Sequence, residues 1–253
     1  MKIGAQLYTV RDFCKTTEDF AKTLERVAQI GYTTVQVSGT CAYDPAWLDR
    51  ELKKNGLTCP LTHISPDRIR DDTLAVIRDH EVFGCGHIGI GALPKAPDGL
   101  AEIDTFIADF LPAAKTIREH GKRLLYHNHQ FEFGRYNKEK TYLEHILESF
   151  PQDLLGITLD TYWVQVGGGN PAEWLTKLRG RVPCIHLKDL AIERMEQRMA
   201  PVGSGNLNFD AILSAAESAG TEYLFVEQDD AYGKDPFEEL SISCRYLQSL
   251  GLS

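Results

Sequence analysis

The stretch LGITLDTYWVQVGGGNPAEWLTKLRGRVPCIHLKD, residues 155–189, reads as strand, helix and strand in turn. Residues 155–159 and 182–186 are short, nearly continuous apolar runs. Between them, Asn170-Pro171-Ala172-Glu173 supplies a capping side chain, a proline at the first helical position and an acid in the first turn. A helix is therefore predicted over 171–178. Apolar strands joined through a helix are the unit of a parallel sheet covered by helices.

The same alternation runs outward in both directions. Further strands are predicted at 2–7, 34–37, 58–63, 87–90, 123–127 and 223–226. Further helices are predicted at 17–30, 44–55, 66–83, 98–120, 138–149, 209–219 and 235–250. Thr16 stands three residues before Asp19 in a capping-box arrangement, and Asn208 precedes Phe209 as a third cap. Phe20, Leu24 and Val27 form one apolar stripe on the first helix. Eight strand–helix units in 253 residues point to an α/β fold, a (β/α)8 TIM barrel formed as one domain over 1–253. An open doubly wound sheet is the alternative. The long segment 190–208, with Gly203 and Gly205, is expected to be a lid or substrate loop.

Composition narrows the function. The chain carries 27 Lys and Arg against 36 Asp and Glu, a formal net charge of −9, with no basic stripe. Such a chain repels phosphate backbones, so no nucleic-acid partner is expected. No apolar run reaches the length of a membrane span, and the N-terminus lacks the pattern of a signal peptide. The six cysteines are scattered without a CxxC pair. These features suggest a reduced, cytoplasmic protein with no membrane partner. A homo-oligomer is compatible with the exposed helix faces of a barrel.

A parallel barrel places its chemistry at the C-terminal ends of its strands. Polar residues there are hard to explain as packing. The predicted strand ends carry His63, then His127-Asn128-His129 followed by Glu132, then Asp160, His186-Leu187-Lys188 and Glu227. Asp160, His186 and Glu227 are mixed nitrogen and oxygen ligands suited to one divalent ion, Mn, Co, Zn, Fe or Mg. A fourth ligand would come from His127 or from Glu132. Lys188 would bind substrate oxygens or a developing anion. Gly89-Ile90-Gly91 does not complete a GxGxxG motif, and no P-loop or GxSxG is present.

At these residues the sequence resembles the xylose-isomerase-like sugar phosphate isomerase/epimerase superfamily. The resemblance is carried by GAQLYTVRD (4–12), YHNHQFEF (126–133), LDTYWV (159–164), GGNPAEW (168–174), RVPCIHLKD (181–189), PVGSGNLNF (201–209) and FVEQD (225–229). It implies a metal-dependent barrel in which Glu, Asp, His and Glu hold one divalent ion. Asp160, His186 and Glu227 match the last three ligands, and His127 stands where many members carry glutamate. His129 matches the histidine that dehydratase members use as a base. Trp163 and Gln36 depart from the pattern of the endonuclease branch.

The implied chemistry is proton abstraction next to a carbonyl of a sugar or cyclitol, with Glu227 or His129 as the base and Glu132 as a further acid–base group. Isomerisation or epimerisation is the first expectation. Dehydration or lysis of a keto-sugar or inosose is the alternative, because His127 replaces one glutamate of the pair that exchanges the proton in epimerases. A binding protein without catalysis is the third. Tyr8, Arg11, His63, Trp163 and Lys188 are expected substrate contacts.

Overall fold

Parallel pairing of Lys2 with Tyr223 through Ala5 with Val226 joins the first strand to the last and closes the sheet. The computed structural model describes residues 1–93 and 96–253. Its strands are β1 (Lys2–Gln6), β2 (Thr34–Val37), β3 (Thr58–His63), β4 (His87–Ile90), β5 (Arg123–His127), β6 (Leu155–Asp160), β7 (Cys184–Leu187), β8 (Asp189–Glu193), β9 (Glu196–Ala200) and β10 (Tyr223–Val226). The barrel order is β1-β10-β7-β6-β5-β4-β3-β2, while β8 and β9 form a separate two-stranded sheet. This is the expected (β/α)8 architecture, and ring closure removes the open-sheet alternative.

The helices are α1 (Thr17–Ile30), α2 (Pro45–Lys54), α3 (Pro66–Asp71), α4 (Thr73–Val82), α5 (Leu100–Glu119), α6 (Tyr142–Ser149), α7 (Thr161–Val166), α8 (Pro171–Lys177), α9 (Phe209–Ala219) and α10 (Pro236–Ser249). The three expected caps form. Thr16 accepts from the Asp19 amide, Asn170 from the Ala172 amide and Asn208 from the Ala211 amide. The main core lies between the outer barrel wall and this helical ring.

One local expectation is corrected and two local features are added. The predicted helix 66–83 is two helices, because Asp72 leaves helical geometry at φ −136°, ψ 42°. An additional short helix, α7, follows β6 directly, started by the Asp160 carboxylate accepting from the Trp163 amide. The segment 190–208, expected as a lid or substrate loop, is ordered by a hairpin, β8–β9. Its return path is pinned by buried Asp189, which accepts from the amides of Leu190, Gly203, Gly205 and Leu207. A Cβ on Gly205 would lie 2.5 Å from Asp189 Oδ1, so only glycine lets the backbone come this close.

Inside the barrel sits a second, small apolar cluster of Leu61, Leu125, Cys184 and Phe225. Side chains alternate between the two faces of a strand with a period of two. The residues two positions later are His63, His127, His186 and Glu227. Each therefore shares the inward face with an apolar residue one layer below.

Candidate active site

The polar layer that caps this lumen is built by four neighbouring strands, β5, β6, β7 and β10. Asp160 pairs in register with His186, and Phe225 pairs with His186 on the other side. His127, Asp160, His186 and Glu227 are all buried, and one donor atom of each lies within 4.8 Å of the other three.

The outward nitrogens of both histidines are occupied. His127 Nδ1 donates to the Gly91 carbonyl at 2.7 Å, and His186 Nε2 donates to Gln36 Oε1 at 2.7 Å. Neither oxygen can donate back, so in the neutral ring the proton sits on the outer nitrogen and the inner nitrogen offers a lone pair. His127 Nε2 then faces Asp160 Oδ2 at 3.3 Å, and His186 Nδ1 faces Glu227 Oε2 at 2.8 Å. Acceptors held this close need a proton or a cation between them. A histidine whose second nitrogen donates to an oxygen is also the usual arrangement around a bound metal. The donor set of two imidazole nitrogens and two carboxylate oxygens fits a divalent transition ion.

Asp160 uses both carboxylate oxygens. Oδ1 caps α7, while Oδ2 points into the cluster. Asn128 holds its backbone by accepting from the Asp160 amide.

Lys188 is 1% exposed and supplies the positive charge among these acids. Its Nζ lies 3.1 Å from Asp160 Oδ2, 3.0 Å from Glu227 Oε2 and 3.0 Å from each oxygen of Asp229. It also stands 5.3 Å from the Trp163 ring centre. Burial alone would raise the Asp160 and Glu227 carboxyls, but the Lys188 ammonium together with the neighbouring imidazoles (His127 for Asp160, His186 and His127 for Glu227) outweighs it and holds both below the ordinary range. Asp229 behaves oppositely, pushed up to about 6 by burial and by Glu227.

Above the cluster opens a cavity of about 510 Å³, lined among others by Tyr8, His63, His129, Lys188 and Glu227. His129 is pushed down to about 3 by burial and by His127, so it is a neutral imidazole, and its Nδ1 is buried without a partner. His63 is likewise neutral, with its Nε2 buried and unpartnered.

Two expected residues do not line this cavity, and one open alternative is resolved in placement. Glu132 lies outside the donor cluster. Its carboxylate accepts from the Tyr126 hydroxyl and from the His129 amide. Those bonds follow from the short 3-10 turn Phe131–Phe133, which folds the glutamate back behind the strand. Of the two alternatives, His127 is the strand-end residue in the cluster. Glu132, expected as a ligand or acid–base group, thus stands outside the cluster with its carboxylate bracing the His129 amide. Arg11 donates to the carbonyls of Tyr8 and Asp229. Trp163 packs 5.7 Å from His129. Both support residues of the cavity without lining it.

The sequence reading did not anticipate two contributors. Asp229 lines the cavity and chelates the Lys188 ammonium, and its position two residues after Glu227 was the available signal. Gln36 orients His186 from the far side of the barrel, 150 residues away in sequence. Only its inward parity on β2 hinted at this.

The description "Xylose isomerase-like TIM barrel" matches residues 24–250 of the chain. Among curated proteins none matches. Among solved structures, a sugar phosphate isomerase/epimerase from Parabacteroides distasonis superposes with a TM-score of 0.83 at 24% identity, covering 98% of this chain and 93% of that one. A probable 3-DHS dehydratase from Bacillus anthracis gives 0.75 at 16% identity, covering 98% and 99%. An L-ribulose 3-epimerase gives 0.73 at 16% identity, covering 100% and 95%. At these identities the likeness establishes the fold.

Proposed function

Because the chain belongs to the xylose isomerase-like TIM barrel family, we propose that it is a divalent-metal-dependent isomerase or epimerase that abstracts a proton next to a carbonyl of a sugar or cyclitol. One observation carries this reading. Four buried donors turned towards one another lie beneath a cavity at the C-terminal rim that His63, His129 and Lys188 help to line.

His127, Asp160, His186 and Glu227 would hold the ion. When bound, it would act as a Lewis acid on the carbonyl and stabilise the charge that develops on its oxygen. Glu227 or His129 takes the proton from carbon. Lys188 places a fixed positive charge beside the developing anion. Tyr8 and His63 shape the cavity wall against the substrate. Burial of the cluster excludes water, which strengthens each of these interactions.

A single-base outcome fits better than a symmetric exchange. The donor cluster contains one glutamate, and Glu132 is turned away from the cavity. One base can move a proton between adjacent carbons on one face, which is isomerisation. The same base can instead start a β-elimination, and the missing second glutamate is the specific observation that favours this dehydratase or lyase reading.

The test is a screen of keto-sugars and inososes with the Mn²⁺- or Co²⁺-loaded protein in D₂O. Solvent deuterium entering a product of unchanged backbone mass supports isomerisation, and loss of water or of a leaving group supports elimination. Binding with neither change overturns the catalytic reading. His129→Ala is expected to lower turnover about 10²–10⁴-fold while leaving metal content intact. Full activity in that variant removes His129 from the chemistry.

A further inference from the structure

A cavity of about 750 Å³ lies at the opposite end of the barrel from the donor cluster. It is formed where the chain enters β4, β5, β6, β7 and β10, so it is the N-terminal face. Its wall includes His87, Arg118, Lys122 and Arg123. In a chain with a net charge of −9, this convergence of cations is unusual.

Their partners make it more so. Arg118 stands 3.7 Å from Asp153, which neutralises it. Lys122 Nζ donates to the Cys85 carbonyl at 2.8 Å. Arg123 donates to the carbonyls of Gln152 and Gly180, and its Nε is buried with no partner. Arg181, the residue after lining Gly180, donates to the carbonyls of Leu155 and Phe150. Three cations therefore rest on neutral carbonyls, against Glu222 as the one remaining acid of the wall. His87 Nδ1 is also buried without a partner.

Uncompensated cations this close repel one another. Burial, and then the neighbouring Arg123, lower the Arg181 guanidinium to about 10. Burial, then Arg123 and Lys122, push His87 down to about 4. The three glycines Gly84, Gly86 and Gly121 leave the entrance open, since a Cβ on any of them would meet nothing within 4 Å.

We propose that this basal cavity is an anion site that takes the phosphate dianion of a small phosphorylated molecule. The Arg123 guanidinium and the Lys122 ammonium, both on the cavity wall, are its main donors. An arginine fork matches phosphate geometry, and desolvated charge-assisted bonds of this kind are strong. The volume exceeds that of phosphate alone and leaves room for an organic group. The site is independent of the metal-dependent chemistry proposed at the rim.

The test is thermal unfolding of the full-length protein with inorganic phosphate, against sodium chloride at matched ionic strength. A saturable, phosphate-specific rise in Tm of about 4 °C at millimolar phosphate is expected. Arg123→Gln should abolish the rise. Because that variant also loses two carbonyl contacts, Lys122→Gln provides a second reading and should weaken phosphate binding about threefold or more. Glu222→Gln should tighten it by a similar factor. Asp160→Asn, at the rim, should leave the rise in place. A rise equal to that in chloride, or one unchanged in the Lys122 and Glu222 variants, overturns the proposal. A glycerol phosphate arm that binds more tightly than phosphate identifies a phosphomonoester as the occupant, and equal binding identifies free phosphate; both support the site.

Discussion

The ammonium of Lys188 lies 3.0 Å from Oε2 of Glu227, the same oxygen that faces His186 Nδ1 at 2.8 Å. A dication held by the donor cluster must share that oxygen with a resident monocation. Lys188→Met is therefore expected to strengthen divalent-ion binding about tenfold or more, because a like charge is removed at close range. The metal-free variant should lose about 3–5 kcal/mol of stability, since its buried carboxylates are left uncompensated. Calorimetric titration with Mn²⁺ and denaturant unfolding of the apo-protein measure the two effects. Unchanged or weaker metal binding would show that the ammonium does not compete.

The choice between His127 and Glu132 has a direct chemical readout. His127→Ala should reduce bound metal to a small fraction of the wild-type content by elemental analysis. Glu132→Gln should retain it, because that carboxylate bonds Tyr126 and His129 instead of the cluster. Glu132→Ala leaves a buried hydroxyl and amide without an acceptor, for a loss of about 1–3 kcal/mol. Metal loss in Glu132→Gln would reverse the assignment.

Gln36 acts on the metal site through His186. Removing the acceptor frees the imidazole to rotate and to change tautomer. Gln36→Leu is expected to weaken metal binding about 10–100-fold with little change in the far-ultraviolet dichroism. An affinity equal to wild type would make the Gln36–His186 bond incidental.

Stability should also fall in mild acid, through a histidine remote from the site. His80 is 2% exposed, with Nδ1 donating to the Val76 carbonyl and Nε2 accepting from the Thr62 hydroxyl. Burial lowers its pKa from 6.5 to about 4. A depressed folded-state value means that the unfolded chain binds the proton first. The contribution is complete above about pH 6.5 and is lost as pH falls towards 4. At about 1.4 kcal/mol per tenfold change, the loss is about 3 kcal/mol. Urea unfolding between pH 7 and 4.5 should show this slope, and His80→Gln should flatten part of it. An equal slope in that variant would assign the acid sensitivity elsewhere.

Much of the fold was written in local patterns. Each apolar strand of the 155–189 unit, the caps at Asn170 and Asn208 and the eightfold repetition depend on neighbours within a few residues. The polar strand ends were legible for the same reason. A period of two puts His127 above Leu125 and Glu227 above Phe225 on one inward face, whatever the rest of the chain does. The break at Asp72 and the hairpin over 189–200 were less legible, because Asp189 secures the latter through amides up to 18 residues away.

Ring closure and distance were decided by tertiary structure alone. The pairing of β1 with β10 joins residues more than 200 positions apart, and no local pattern distinguishes it from an open sheet. The same holds for Glu132, whose spacing from His127 allowed a ligand role until a short turn carried it behind the strand. Gln36 on His186, Lys188 among three carboxylates, and the cations gathered at the barrel base are likewise products of packing. Charge and hydrogen-bonding capacity belong to each residue and can be read from the sequence. Which groups come close enough to act on one another depends on how the whole chain closes.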